Sequence, residues 1–454
     1  MEGLRRVLKL PAVTFIAVGM TIGGGIFVFT GIVLKITGPA LPVAFSLAVI
    51  PVFLSMLPLA MLGSALPVTG GNYIYPSRMV SPRLAFTGIW VYALATFFGQ
   101  IPLYSIACAR YIQVIVPNVS ETVFAAGLIT FFCIINVIGI KPAARLQALM
   151  VLILLSALLF FSLKGLAEPN LERFDSIFQM GTGSLLLGIA LLTFTYLGSN
   201  GIIELGQEIK DPAKVIPRAY FIAFPLVTII YLLVALAVVN SVPWQSMTDV
   251  REPLIEIGKA SMSPASLIYF VMGGAVLALT TTLNGLLIMA TKSLMAISSD
   301  GLLPKGLGRI NKRFGTAHGL FLAIWAISMI GVFSGIALET FACYAAMGGI
   351  IIFIPVLIAS IVFPNKYPEK YQNAPFRLKG IWRFLCPVTG ILMGVFFCIV
   401  ILVDLKEPAK VIPFFIFILT GVVFYESRRR YLLKKGIDVE KAIKNDDWIA
   451  KHDT

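Results

Sequence analysis

The stretch AVTFIAVGMTIGGGIFVFTGIVL occupies residues 12–34 and contains no charged residue. It is long enough to cross a bilayer, which takes about 20 apolar residues in a helix. Gly23, Gly24 and Gly25 stand near its centre. Glycine costs a helix about 1 kcal/mol per residue relative to alanine, so three in succession weaken the helix there. The stretch therefore predicts a membrane-spanning segment that is interrupted near its middle.

The composition of the whole chain is that of a membrane protein. Of its 454 residues, 58% are apolar and 13% are charged, and the mean hydropathy is +0.92. Soluble domains carry roughly 45–50% apolar and about 25% charged residues, so a water-soluble enzyme is excluded. Continuous apolar runs such as 146–161 and 411–425 exclude a membrane β-barrel, whose strands alternate over about ten residues.

Apolar runs recur along the whole chain and predict an all-α integral membrane protein with twelve transmembrane helices. The predicted spans are residues 12–34, 41–64, 84–116, 121–140, 146–163, 183–207, 218–240, 265–298, 319–336, 340–363, 381–404 and 409–427. The first run continues past Phe27 without a small-residue cleavage site. We therefore expect it to remain as the first span rather than to be removed as a signal peptide.

The positive charges are unevenly placed around these spans. With the N-terminus inside, 28 Lys and Arg residues fall on the inner side and eight on the outer side. This bias follows the positive-inside rule and accounts for the net charge of +14 without a nucleic-acid partner. We predict a multi-pass protein of the plasma membrane, in contact with the lipid bilayer, with cytoplasmic N- and C-termini.

A second interruption is predicted in span six, where Gly198-Ser199-Asn200-Gly201 lies near the centre of an apolar run. Free backbone groups of a broken helix must line a cavity or bind a ligand, because lipid cannot satisfy them. The alternative is close helix packing, which Gly19-x-x-x-Gly23 also favours. Spans one and six begin two five-span halves, and breaks at corresponding positions indicate an inverted-repeat transporter with a midplane site.

Four short motifs in order resemble the amino acid–polyamine–organocation superfamily of amino acid permeases, over nearly the whole chain. They are Thr21-Ile22-Gly23-Gly24-Gly25-Ile26-Phe27, Pro67-Val68-Thr69-Gly70-Gly71-Asn72-Tyr73-Ile74-Tyr75, Glu204-Leu205-Gly206-Gln207-Glu208-Ile209-Lys210-Asp211-Pro212 with Ile216-Pro217-Arg218-Ala219, and Ser299-Asp300-Gly301-Leu302-Leu303-Pro304. The resemblance implies a LeuT-like five-plus-five inverted repeat with helices 1 and 6 broken. The corresponding plan is a cytoplasmic N-terminus (1–11), two repeats (12–163 and 183–363), helices 11 and 12 (381–427) and a cytoplasmic tail (428–454).

The resemblance implies a secondary active transporter that moves amino acids by alternating access. We expect a permease or exchanger of neutral amino acids, because the stretches Met20–Phe27, Phe194–Gly201 and Thr281–Ile288 contain no Asp, Glu, Lys or Arg. The alternative is a cationic amino acid or polyamine transporter of the same fold, whose substrate would be held by carbonyls and an aromatic face. A channel and a membrane enzyme are less favoured, because neither a continuous polar stripe nor a catalytic cluster appears.

The zwitterionic part of an amino acid needs partners for both charges. Backbone N–H groups of Gly24, Gly25 and Ile26 at a half-helix N-terminus suit the carboxylate. Carbonyl groups of Thr21, Ile22, Phe194 and Leu197 suit the ammonium. Gly23 and Gly198 complete the two breaks, Thr195 offers a hydroxyl, and span three contributes Gln100 and Tyr104. By the resemblance, Phe194 is an aromatic lid over the substrate, with an ordinary core phenylalanine as the alternative.

Coupling to an ion gradient depends on polar side chains within the spans. In sodium-coupled proteins of this fold, hydroxyl groups in span eight bind sodium, and Thr281 and Thr282 could do so here. The preferred interpretation is that the hydroxyls of Thr280-Thr281-Thr282 bond to carbonyl groups of their own helix. Leu154 and Asn200 stand where some family members carry lysine and glutamate. We therefore expect exchange or sodium dependence rather than proton symport through those two positions. Glu204 is interpreted as a surface carboxylate paired with Lys210 or Lys292, in preference to a proton carrier.

Cysteines and histidines give no further site. Cys108, Cys133, Cys343, Cys386 and Cys398 lie in apolar runs without a CxxC pair, so we expect neither a disulfide framework nor a metal site. His318 and His452 fall in predicted cytoplasmic segments, which disfavours a histidine proton relay. No cofactor is expected, and the predicted ligands are a small amino acid and a coupling ion, sodium or proton.

Overall fold

The protein is described here from a computed structural model, which covers residues 6–247, 253–304, 306–336, 338–404 and 408–445. Within these ranges the chain is helical, apart from turns and three isolated β-bridges. The α-helices are α1 (Leu10–Thr21), α2 (Gly24–Thr37), α3 (Leu41–Ala65), α4 (Gly71–Met79), α5 (Pro82–Leu94), α6 (Ile101–Gln113), α7 (Glu121–Ile138), α8 (Ile140–Gly165), α9 (Gly181–Thr193), α10 (Pro212–Ser241), α11 (Pro253–Ser261), α12 (Pro264–Phe270), α13 (Leu277–Ser299), α14 (His318–Phe333), α15 (Leu338–Lys366), α16 (Pro368–Asn373), α17 (Trp382–Asp404), α18 (Pro408–Lys434) and α19 (Val439–Lys444).

Ten helical stretches of the described chain are long and apolar enough to cross a membrane. Two shorter apolar helices, α14 and Trp382–Phe396 in α17, occupy the places of the predicted ninth and eleventh spans. A helix satisfies its own backbone hydrogen bonds, which hydrocarbon cannot do. The prediction of an all-helical, multi-pass membrane protein is confirmed, whereas the count of twelve spans and the repeat stay predictions.

The interruption predicted in the first span is present. Helix α1 ends at Thr21, and Ile22 leaves helical geometry with φ −80° and ψ 65°. Gly23 is extended, with φ −95° and ψ −159°, and α2 begins at Gly24. The glycines therefore separate two half-helices, and the start of α2 leaves its first N–H groups without intrahelical partners.

The sixth span is interrupted differently from the prediction. Its α-helix α9 ends at Thr193, and Phe194–Glu204 continues as a 3₁₀-helix. The change begins four residues before Gly198, and the chain winds more tightly instead of unwinding. A 3₁₀ segment of this length is uncommon and marks a strained or functional region.

Two further irregularities lie inside the third and eighth predicted spans. A π-helical stretch, Ala95–Gln100, joins α5 to α6, and another, Val271–Val276, joins α12 to α13. Such π-bulges in membrane and soluble helices frequently occur at functional sites. The sequence does not predict these two π-helical stretches, because both lie within continuous apolar runs.

The interrupted segments lie at the centre of the bundle. Helix α1 packs against α8, α10, α13 and the 3₁₀ segment, and α2 packs against α9. Almost all of α13 is buried. The broken ends of α1 and α2 are therefore surrounded by other helices rather than by lipid, as backbone groups without intrahelical partners require.

Candidate functional site

A central cavity lies between the two interrupted segments. Its volume is about 90 Å³. The predicted site residues that line it are Thr21, Gly23, Gly25, Tyr104, Thr195, Leu197 and Gly198, together with Gln100 and Thr282. Within the span-three wall, the Gln100 amide donates to the Tyr104 hydroxyl at 3.4 Å.

Helices α15 and α17 form a wall of the cavity that sequence reasoning missed. Its residues are Ala345, Gly349, Ile350, Phe353, Met393 and Gly394. All are apolar or small, and they lie in apolar stretches that have the sequence of ordinary membrane spans. Only the fold places these two helices opposite the broken segments, so no local signal identifies them.

Other predicted site residues lie behind the lining. Ile22 and Ile26 are fully buried, and neither they nor Gly24 nor Thr281 belong to the described cavity wall. The N–H group of Ile26, expected to hold a carboxylate, donates a long bond of 3.4 Å to the Gly23 carbonyl. The side chain of Phe194 lies outside the described residues, so the predicted lid stays a prediction.

Two glycines allow close contact between the elements that form the cavity. A Cβ atom on Gly198 would collide with the Met20 carbonyl group of α1, and one on Gly23 would collide with the Thr282 hydroxyl of α13. A Cβ on Gly25 would stand 3.3 Å from Cγ2 of Thr195, which leaves little room. The glycines therefore serve close packing as well as helix interruption, so both readings of the motif apply.

A tyrosine that the sequence did not single out connects the two breaks. The Tyr231 hydroxyl on α10 donates to the Thr21 carbonyl at 2.8 Å, and it also lies 3.2 Å from the Thr195 carbonyl oxygen. The Tyr220 hydroxyl, three turns earlier on the same helix, donates to the Ser199 carbonyl at 3.1 Å. Carbonyl groups freed by the irregular helices are thus partly satisfied by buried tyrosines.

The threonines of α13 bond mainly to their own helix. Thr280 donates to Val276 at 3.0 Å, and Thr281 and Thr282 donate to the Ala278 carbonyl at 3.0 and 3.1 Å. Thr282 also lies 3.5 Å from the Gly19 carbonyl of α1. Of the two residues proposed for sodium, Thr282 faces the interrupted span, whereas Thr281 does not line the cavity.

Two buried ion pairs lie at the end of the molecule predicted to be cytoplasmic. Arg78 makes a bidentate pair with Asp300, at 2.6 and 2.7 Å, and Tyr73 donates to the same carboxylate at 2.8 Å. Burial, with the adjacent Asp300 charge, raises the pKa of Tyr73 well above its usual value, so the phenol keeps its proton. Lys292 pairs with Glu208 at 2.6 Å.

Backbone bonds join the segments that carry the family motifs. Gly70 N–H donates to the Glu204 carbonyl at 3.1 Å, and Gly206 N–H donates to the Val68 carbonyl at 3.0 Å. The N-terminal Leu8 N–H donates to the Glu208 carbonyl at 2.9 Å. Motifs that are distant in sequence therefore form one packed layer at the end of the molecule that carries the ion pairs.

The interpretation of Glu204 as a surface carboxylate is wrong. Glu204 is 4% exposed. Its carboxylate accepts a bond from Asn72 N–H at 2.9 Å and one from the Ser293 hydroxyl, which lies 2.9 and 3.0 Å from the two carboxylate oxygens. Lys292, one expected partner, is paired with Glu208 instead. The backbone bonds between residues 204–208 and Val68–Gly70 place this carboxylate in the protein interior. The sequence alone does not reveal this pairing.

Comparisons with known proteins agree with these features. The model of the family "Amino acid permease" matches residues 8–425. The branched-chain amino acid permease BcaP of Bacillus subtilis is 24% identical and covers 93% of each chain. A methylthioribose transporter of the same organism is 27% identical over 96% of each chain. The vacuolar cationic amino acid transporter 4 of Arabidopsis thaliana is 29% identical over 67% of this chain and 55% of its own length.

Proposed function

This chain belongs to the amino acid permease family, and from that premise we propose that it carries neutral amino acids across the plasma membrane by alternating access. The observation that carries the proposal is the lining of the central cavity, whose described residues include no Asp, Glu, Lys or Arg. An unpaired charge removed from water costs several kcal/mol even after relaxation. A substrate whose side chain is uncharged fits such a lining.

The charged groups of the substrate find partners in the backbone. Gly25 lies in the first turn of α2 and lines the cavity, so the positive end of this half-helix suits a carboxylate. Thr21 lies at the C-terminal end of α1 and also lines the cavity. Carbonyl groups at that end carry partial negative charge and suit an ammonium group.

The wall formed by α15 and α17 suits an aliphatic side chain. Gly349 has open space where a Cβ atom would stand, and Ile350, Phe353 and Met393 provide apolar contact. A relative that covers 93% of both chains is named a branched-chain amino acid permease. Both facts favour leucine, isoleucine or valine over a small polar substrate.

The placement of the irregular helices supports a five-plus-five repeat. The first and sixth predicted spans lose α-helical geometry near their middle, and the third and eighth contain π-helical stretches of six residues each. These are corresponding positions when the second half begins at span six. Two matching pairs support an inverted repeat better than the breaks alone.

Alternating access requires that one end of the pathway close while the other opens. The pairs Arg78–Asp300 and Glu208–Lys292, with the N-terminal bond of Leu8, hold together the end predicted to be cytoplasmic. In our proposal these contacts break when the transporter opens inward. The distribution of Lys and Arg supports the cytoplasmic location of this end and of both termini.

The proposal is tested with the purified protein in proteoliposomes. Uptake of labelled leucine is competed with the twenty amino acids, with and without sodium and pH gradients. We expect aliphatic amino acids to compete well and arginine and lysine to compete poorly. If arginine or lysine displaces the label better than every neutral amino acid, the substrate class is wrong and the cationic alternative holds.

The binding mode is tested by Gly25→Leu, with Gly127→Leu as the matched control. A leucine at Gly25 enters the cavity beside Thr195, whereas a Cβ atom at Gly127 meets nothing within 4 Å. We expect the first variant to fold and to lose uptake, and the second to transport normally. Normal transport by Gly25→Leu contradicts the assignment of the carboxylate to α2.

A further inference from the structure

The carboxylate of Glu204 is buried without a positively charged partner. Its hydrogen bonds come from a backbone N–H of Asn72 and from the Ser293 hydroxyl, both uncharged donors. Among the residues that the structure describes, no Lys, Arg or His forms an ion pair with it. A buried carboxylate in this situation is costly when ionised and marks a functional group in a membrane protein.

The titratable groups around Glu204 do not neutralise it. On α13, the Lys292 ammonium pairs with Glu208 at 2.6 Å and acts on Glu204 only from beyond ion-pair distance. On α4, the Tyr75 hydroxyl donates to the Leu66 carbonyl at 2.7 Å, and burial raises the pKa of Tyr75 above its usual value. On α5, Tyr92 is a neutral phenol that lines the neighbouring space.

Glu204 lines a small cavity that adjoins the central one. Met20, Tyr92 and Asn200 belong to the linings of both, so the cavity of Glu204 shares a wall with the proposed substrate site. Asn72 lines the same small cavity, is 5% exposed, and has a buried Oδ1 atom without a hydrogen-bond partner. The lining of this small cavity therefore contains both an Asn72 oxygen without a donor and the Glu204 carboxylate without an ion-pair partner.

We propose that Glu204 is the proton-binding site through which transport is coupled to a proton gradient, a deepening that rests on the proposed transport function. A proton from water in the cavity binds a carboxylate oxygen of Glu204, and the charge of the side chain changes from −1 to zero. The new O–H group faces uncharged polar groups, since Ser293 Oγ lies within 3.0 Å of both carboxylate oxygens and Asn72 Oδ1, in the lining of the same cavity, has no hydrogen-bond partner. The proton returns to water when the pathway opens to the cytoplasm.

The surroundings favour a proton over a sodium ion. A hard cation takes about six oxygen ligands, whereas the wall around Glu204 is mainly apolar, with Phe97, Met289 and Leu294 among its residues. The Ser293 hydroxyl lies within 3.0 Å of both carboxylate oxygens and donates its single proton to one of them. A proton needs one oxygen lone pair and one acceptor, which this site provides.

The test uses the full-length protein in liposomes that contain a pH-sensitive dye, with leucine added outside. We expect the wild type to acidify the interior as leucine enters. Glu204→Gln cannot bind the proton, so it should lose this proton movement while leucine–leucine exchange persists. Glu121→Gln is the matched control, because its carboxylate forms a half-exposed pair with Arg110, and it should acidify normally.

Three outcomes overturn the proposal: leucine uptake by the wild type without proton movement, unchanged proton movement in Glu204→Gln, or loss of exchange together with proton movement in that folded variant. If Glu204→Gln fails to fold, Ser293→Ala decides. Removing a donor from the ionised form favours protonation, so proton-driven uptake should extend to higher pH, and an unshifted pH profile overturns the proposal. Failure of the transport function itself is distinct, because no amino acid is then taken up under any gradient.

Discussion

The hydroxyl of Tyr231 lies 2.8 Å from the carbonyl oxygen of Thr21, the last residue of α1. The same hydroxyl lies 3.2 Å from the Thr195 carbonyl in the 3₁₀ segment. Its ring is held between Phe45 and Tyr196, with centroid distances of 5.2 and 5.0 Å. One rigid side chain therefore sets the separation of the two interrupted segments at the cavity.

Removing this hydroxyl should loosen the site. In Tyr231→Phe the ring is kept, but the buried Thr21 carbonyl loses its donor, which costs about 1–3 kcal/mol. We expect a lower melting temperature in detergent and weaker leucine binding. Tyr269→Phe is the control, because that hydroxyl bonds to Ser156 at an exposed position. Equal melting temperatures and affinities for the two variants contradict the role given to Tyr231.

A side chain at Gly198 should separate the 3₁₀ segment from α1. In Gly198→Ala the added Cβ meets the backbone of Met20, which cannot rotate away as a side chain does. Overpacking of this kind costs about 1–3 kcal/mol, and we expect leucine affinity and melting temperature to fall together. Gly183→Ala serves as the control, because its Cβ meets nothing within 4 Å. A Gly198→Ala protein that behaves like this control argues against the close contact.

The sequence predicts those features of the fold that depend on local chemistry. Apolar length predicts the membrane-spanning helices, and the three glycines predict the break after Thr21, because both effects act within one segment. The sequence predicts the second interruption at Gly198–Gly201, whereas α-helical geometry already ends before Phe194, since Phe194 and Thr195 carry no helix-breaking chemistry. Their geometry follows from contact with α1 and α10, which is a property of the assembled bundle.

The same distinction between local chemistry and tertiary packing applies to the candidate site. Residues beside the breaks, such as Gly25 and Leu197, line the cavity because the breaks face it. Gly349 on α15 and Tyr231 on α10 lie far away in sequence within ordinary apolar runs, so only tertiary packing assigns them. Glu204 was misjudged because a carboxylate near the end of a span is normally solvated, and its burial results from backbone pairing with Val68–Gly70.

The Arg78–Asp300 pair should stabilise the closed end of the molecule. Its side chains are 6% and 11% exposed, so Arg78→Ala leaves a buried carboxylate uncompensated and should cost about 3–5 kcal/mol. Arg110→Ala removes an exposed pair with Glu121 and should cost at most about 1 kcal/mol. Thermal unfolding in detergent measures both. The double variant Arg78→Ala with Asp300→Ala should be less destabilised than the sum of the single variants, and strict additivity contradicts the coupling.

Gly349 should set the size of the side chain that the transporter accepts. The position has open space where a Cβ atom would stand, and it faces the cavity opposite the interrupted segments. In Gly349→Leu the new side chain fills that space, so leucine loses apolar contact or meets a clash, whereas alanine does not reach it. One methylene group in an apolar pocket discriminates about 10–200-fold, and we expect leucine to lose at least about tenfold in affinity relative to alanine.

Competition of labelled alanine by unlabelled leucine measures the ratio, with Gly127→Leu on α7 as the control. If Gly349→Leu weakens alanine and leucine equally, the side chain of the substrate does not point toward α15.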